Sequence, residues 1–189
     1  MNISGPVAGV RSAPGPLTEV TLSDGTLGLI WPLLDTDRDL MRRGFTELSP
    51  ESRQQRFLTS PPELSDAMLR SLVDEVDGVD HVALLLTVLP ERGPARPVGV
   101  ARLVRYPGEP SVADVAVTVV DPWQGRGVGS ALMTELLHRR PLGVTGLRTT
   151  VAADNRASLA LLSRHGRMTT HRDGPGVLTV QIEDLAAAA

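Results

Sequence analysis

A chain of 189 residues, 41% hydrophobic and 22% charged, can bury a sizeable core and has the length of one domain. Its net charge of −3, with no arginine cluster interleaved with aromatics, argues against nucleic acid as a partner. There is no cysteine and all 19 basic residues are arginine, which excludes disulfides, acyl-cysteine intermediates and lysine Schiff bases.

Residues 1–16, rich in Gly, Pro and Ser, read as a flexible arm rather than a secretory signal, and 186–189 as a frayed tail. No apolar run nears the ~18 residues of a spanning helix, so the chain is expected to be soluble and cytoplasmic, with no membrane partner. Between the ends, 17–185 read as a single domain. Residues 18–22 and 27–33 are β-prone and separated by Ser23-Asp24-Gly25-Thr26, a hairpin signal. Asp35 is the expected cap of a helix over 37–48. Ser49 with Pro50 opens a second helix through Phe57 and Leu58, which Pro61-Pro62 ends. Ser65 caps a third, with Met68, Leu69, Leu72, Val73 and Val76 as its apolar stripe.

Strands are expected at 82–89, 97–106 and 112–120, joined by turns at Glu91-Arg92-Gly93-Pro94 and Pro107-Gly108, an antiparallel meander. A helix over 127–140 follows, then a strand at 147–152 and a helix over 155–165. A final hairpin, 168–171 and 177–182, turns at Gly174-Pro175-Gly176. The order is β-β-α-α-α-β-β-β-α-β-α-β-β, a mixed α/β domain with one right-handed crossover.

That crossover contains Asp121-Pro122-Trp123-Gln124-Gly125-Arg126-Gly127-Val128-Gly129-Ser130. Three glycines between a β-branched run and a helical pattern allow positive φ angles and expose successive N–H groups, beside the unpaired donors of the helix start. This is an anion-binding layout. A P-loop is excluded, since it needs a lysine. A dinucleotide-binding turn is a rival reading: Gly125-x-Gly127-x-x-Ser130 is near its fingerprint, with Asp154 ending the next strand. A plain strand-to-helix turn is another.

Gln124-x-x-Gly127-x-Gly129 resembles the acyl-CoA pyrophosphate motif, Q/R-x-x-G-x-G/A, of the GNAT superfamily of N-acetyltransferases. The element order agrees with that fold over about residues 19–183: a mostly antiparallel twisted sheet with a splayed central strand pair, flanked by helices. Trp31-Pro32-Leu33, Leu48-Ser49-Pro50-Glu51-Ser52-Arg53, Arg56-Phe57 and Pro62-Glu63-Leu64-Ser65-Asp66 resemble the acetyltransferase domain of bacterial protein-lysine acetyltransferases.

The resemblance implies acetyl-CoA as cosubstrate, held by the backbone of Thr118, Val119 and Val120 along pantetheine and by Gln124, Gly125, Arg126, Gly127, Val128, Gly129 and Ser130 at the pyrophosphate. It implies a base ten residues before Gln124, which is Asp114, where the subgroup carries glutamate. By strand alternation Asp114 shares a face with Ala116 and Thr118, opposite Val115, Val117 and Val119. Asn155 matches a cofactor-contacting residue and is also a helix cap. Leu162 stands at the usual position of a tyrosine acid, which leaves the thiolate to be protonated by water. The acceptor implied is a protein lysine, with a small-molecule amine as the alternative; the helical segment 37–72, with Glu47 and Glu51, would shape its site. A non-catalytic acyl-CoA-binding module is the rival from another class. His81, His138, His165 and His171 show no metal-ligand spacing, so no metal is expected. Arg42, Arg43, Arg53 and Arg56, the densest basic group, read as solvated helix faces.

Overall fold

The computed structural model describes residues 17–90 and 93–185. The expected arm, the tail and Glu91-Arg92 of one turn lie outside the described residues. Strands β1 (Thr18–Thr21) and β2 (Leu27–Pro32) form the hairpin; Gly25 adopts φ +84° and the Asp24 carboxylate accepts from the Thr26 N–H at 3.0 Å. A short 3₁₀ turn leads into α1 (Arg38–Thr46). Its entry differs from expectation: Asp35 does not cap it. Instead the Asp37 carboxylate is buried and turns back to accept from the Leu34 N–H at 3.1 Å.

Helix α2 (Pro50–Phe57) has Ser49 as cap, accepting from Ser52 N–H at 3.1 Å, and Pro50 in its first turn. Helix α3 (Asp66–Leu69) is capped by Ser65, then widens into a π turn over Arg70–Asp74. The meander follows as β3 (His81–Val88), β4 (Arg96–Tyr106) and β5 (Glu109–Val119). Every residue of β3 is buried, as expected of a strand covered on both faces. Then come α4 (Val128–His138), β6 (Gly146–Ala152), α5 (Arg156–Leu162), β7 (Arg167–Arg172) and β8 (Val177–Glu183).

The eight strands form one sheet in the order β1-β2-β3-β4-β5-β6-β8-β7. Among the described residues all pairings are antiparallel except β5 with β6, which α4 connects. Helix α4 buries Val128, Leu132, Met133, Leu136 and Leu137. Gly99 of β4 makes its close approach possible: a Cβ there would lie 2.8 Å from Val128 Cγ1 and 2.9 Å from Leu132 Cδ1. Helices α1 and α2 pack on the opposite face, against β4 and β5 respectively. The core therefore lies in two layers, one on each side of β3 to β5.

Candidate active site

The β5–β6 pair is a ladder only at its start. Val112 pairs with Gly146 and Ala113 with Leu147, after which the register ends although both strands continue. Where they have parted, the buried Thr149 hydroxyl donates to the Val115 carbonyl at 2.9 Å. Beyond that point β5 presents an edge inside the sheet, the expected splay. Parallel strands that diverge leave a crevice at their carboxyl ends, where α/β sheets place ligands.

The glycine-rich segment lies at that end. Gly125 and Gly127 take φ +73° and +87°, conformations that side chains resist, and Gly127 is the residue before α4. Among the described residues no protein acceptor takes the N–H groups from Gly125 to Ser130. The first bonded N–H is that of Ala131, to Gly127. Such a row at a helix start is fitted to a phosphate. Arg126 lies beside it, exposed, its guanidinium 3.1 Å from Asp24 and 4.9 Å from the Trp123 ring centre. The Ser23 N–H donates to the Arg126 carbonyl, so the β1–β2 turn braces this loop.

A polar knot ties the loop to α2. The Asp121 carboxylate accepts from the Ser49 hydroxyl at 2.6 Å, the Ser49 N–H at 3.0 Å and the Ser52 hydroxyl at 3.0 Å. Partial burial would raise its pKa, but these donors outweigh it and hold the carboxyl below its ordinary value. The Gln124 amide donates to the Ser52 hydroxyl and to the Val119 carbonyl, 3.2 Å each. Its side chain thus fastens the end of β5 rather than pointing away from the protein.

Asn155 follows the carboxyl end of β6. Its side-chain oxygen accepts from the Ser158 N–H at 3.0 Å and it is buried, so it caps α5 as expected. Helix α5 reaches the glycine loop through Leu161, which a Cβ on Gly129 would approach to 3.5 Å. Thr118, Val119, Val120, residues 124–130 and Asn155 therefore gather at the carboxyl ends of the two parting strands.

Asp114 lies on the other face of the sheet. Register places His81, Val104 and Asp114 in one row, Ala83, Arg102 and Ala116 in the next, and Leu85, Val100 and Thr118 in the third. The second and third rows floor a pocket roofed by α1, α2 and the segment of α3, lined by Leu40, Phe45, Phe57 and Leu72, and the row of Asp114 adjoins that floor beside Arg102 and Ala116. Asp114 is half-buried, and among the described residues its carboxylate accepts no hydrogen bond. Arg56 enters from α2. Desolvation, with repulsion from Arg102 and only partial relief from Asp114, pushes its pKa down to about 10. Burial also lowers Arg102, against the attraction of Asp114.

Arg56 is thus not on a solvated face, and Arg102 was not singled out from sequence at all. The signal for Arg102 was present: it interrupts an otherwise apolar face containing Val100 and Val104. Arg42 does lie on the surface, pairing with Asp39 and Asp66, whereas Arg53 is half-buried, donates to the carbonyls of Leu48 and Pro62 and covers the buried Phe45 ring, so it is not a solvated face either. Glu47 pairs with Arg96 and Glu51 is exposed, so neither lines the pocket. Leu162 is buried in the core, and the single tyrosine, Tyr106, donates to the Arg148 carbonyl at the far end of β4.

Residues 41–166 match the acetyltransferase (GNAT) family. The chain belongs to that family. It is 35% identical over 143 residues to the acetyltransferase PA5475 of Pseudomonas aeruginosa, covering 75% of this chain and 73% of that one. To the acetyltransferase Pat of Mycolicibacterium smegmatis it is 35% identical over 150 residues, covering 78% of this chain but only 43% of that protein. The crystal structure of the GNAT domain of S. lividans PAT superposes with TM-score 0.77 at 25% identity, covering 88% of this chain and 96% of that domain.

Proposed function

We propose that the protein transfers the acetyl group of acetyl-CoA to a primary amine by direct attack within a ternary complex. The observation that carries this reading is the free edge of β5, which ends in the N–H row at 125–130 and bears Asp114 on the opposite face. The edge at Thr118 to Val120 suits a pantetheine chain laid alongside as an added strand, and the N–H row suits the pyrophosphate. Arg126 adds a positive charge once it leaves Asp24, while Gln124 and Asn155 hold the cleft walls.

A lysine-like amine with pKa near ~10.4 is overwhelmingly charged at pH 7, so a proton acceptor is needed before attack. Asp114, with no hydrogen-bond partner of its own, takes that role directly or through one water. Aspartate is a methylene shorter than the subgroup's glutamate, which favours the water. With Leu162 buried, the thiolate leaves and takes its proton from solvent. A protein lysine, implied by the subgroup resemblance, and a small-molecule amine are the two acceptor classes that fit direct attack.

The experiment is thermal unfolding with acetyl-CoA, CoA or NAD, followed by acetyl-CoA consumption with an amine panel. Stabilisation by both CoA forms and turnover with an amine are expected. Stabilisation without turnover would make the chain an acyl-CoA-binding module, and a shift with NAD alone would discard the reading.

A further inference from the structure

The pocket under α1 to α3 carries more cations than its own residues answer. Arg56 and Arg102 both face it, and among the described residues neither makes a hydrogen bond or ion pair; Arg56 has only the Phe57 ring, 5.0 Å away. Among the described residues Asp114 is the one carboxylate that acts on both. Glu75 attracts Arg102 more weakly than Asp114 does, and is exposed. His81 is buried, and both burial and Arg102 disfavour its charged form. Two half-buried guanidiniums without a bonded anion are poorly solvated and well placed to receive one.

Apart from Thr118, the rest of the pocket is apolar. Leu40, Phe45, Phe57, Leu72, Leu85 and Val100 line it. Asp114 and Arg102 are diagonal neighbours on adjacent strands, with side chains about 7 Å apart at Cβ. A base and an anion receiver thus sit within the span of one small molecule, beside an apolar chamber.

We propose that the acceptor is a free α-amino acid with an apolar side chain: its carboxylate is held by Arg56 and Arg102, its amine faces Asp114, and its side chain fills the chamber. A lysine side chain on a protein would bring another cation and no anion to this place. The amine nitrogen attacks the thioester carbonyl carbon, the N–C bond forms, and the C–S electron pair leaves with sulfur. The ammonium loses two protons in all; one goes to solvent through Asp114 and the other ends on the CoA thiol. This inference rests on the acetyl-transfer reading.

The test compares wild-type kcat/KM, with acetyl-CoA saturating, for leucine, leucinamide, isoamylamine and a lysine-containing peptide. Charge-assisted contacts to the carboxylate predict leucine ahead of leucinamide and isoamylamine by roughly 10- to 100-fold. Equal rates for leucine and leucinamide, or turnover of the peptide alone, would overturn the amino acid assignment and leave acetyl transfer standing. Turnover of none, with acetyl-CoA still bound, would overturn both. In a second measurement Arg102→Met should raise KM for leucine about 10-fold or more, with partial recovery in Arg102→Lys. An unchanged KM in the Met variant would also overturn the assignment.

Discussion

Thr149 of β6 reaches across the parted strands to the main chain of Val115 in β5, its hydroxyl 2.9 Å from the carbonyl oxygen. The bond stands in for a backbone ladder that has ended two residues earlier on each strand, at Ala113 and Leu147. It therefore links the two strands where they have parted. It also satisfies a carbonyl on the side of β5 that would otherwise face the gap.

Thr149→Val keeps the shape of the side chain and removes the donor. Leaving the Val115 carbonyl unpaired in a buried site should cost about 1–2 kcal/mol, seen in urea denaturation. If the bond also sets cleft width, KM for acetyl-CoA rises with it. A variant as stable as the parent would show that the bridge does not contribute.

Asp121 joins α2 to the glycine loop through Ser49 and Ser52. Its folded pKa lies below the ordinary 3.8, so the unfolded chain binds more protons in acid and stability falls as pH drops. The contribution is complete above about pH 5, declines once pH passes below the unfolded value near ~3.9, and is lost below the folded pKa. Asp121→Asn should be less stable at pH 7 by about 2 kcal/mol, and the difference from wild type should shrink on acidification. A constant difference from pH 7 to 3 would contradict the assignment.

His81 supplies a second pH dependence, nearer neutrality. Its Nδ1 lies 3.0 Å from the Glu75 carbonyl, which can only accept, so Nδ1 carries the proton. Nε2 is buried without a partner, and burial together with Arg102 holds the ring below its ordinary 6.5. Below about pH 6.5 the unfolded chain takes up a proton that the folded chain refuses, so stability falls as pH drops from there through the folded pKa. Melting temperature should decline between pH 7 and 5 in the wild type and less steeply in His81→Leu. Parallel profiles would remove His81 from the account.

Most of the fold was legible because its signals are local. Asp24-Gly25 made the hairpin, Ser49-Pro50 and Ser65 the helix starts, and the alternation around Asp114 assigned the strand face correctly. The start of α1 is not legible in this way: an acidic residue before a helix reads as a cap, whereas it is the neighbouring Asp37 carboxylate that finds a donor, in the Leu34 N–H. The site was only half legible. Glycines that need positive φ mark themselves in sequence, but Arg56 and Arg102 meet only when α2 is laid over β4, which no spacing along the chain encodes.

Gly127 tests the cradle. At φ +87° a Cβ would meet the Ser23 N–H at 3.6 Å, so space permits alanine while the backbone angle does not favour it. Gly127→Ala should cost about 1–2 kcal/mol of stability from the left-handed conformation alone. Because relief of that strain turns the N–H row, acetyl-CoA affinity should fall by more than the stability loss explains. Calorimetric titration with acetyl-CoA well below the unfolding temperature separates the two; unchanged affinity would mean the row is not the pyrophosphate site.

Asp114→Asn bears most directly on mechanism. The amide keeps the size of the side chain, and no protein hydrogen bond is lost, since none is made to the carboxylate among the described residues. Stability should therefore change little through lost contacts, although the removal of a negative charge leaves Arg56 and Arg102 less compensated. General base catalysis contributes about 10²- to 10⁴-fold, so kcat at pH 7 should fall within that range. The loss should diminish as pH approaches the amine's own pKa, where neutral amine no longer needs a proton acceptor. A base acting on a charged amine predicts that convergence; a residue that only positions the acceptor predicts a loss independent of pH. Measuring kcat for wild type and variant from pH 6.5 to 9.5 distinguishes them, and full activity at pH 7 would remove Asp114 from the chemistry altogether.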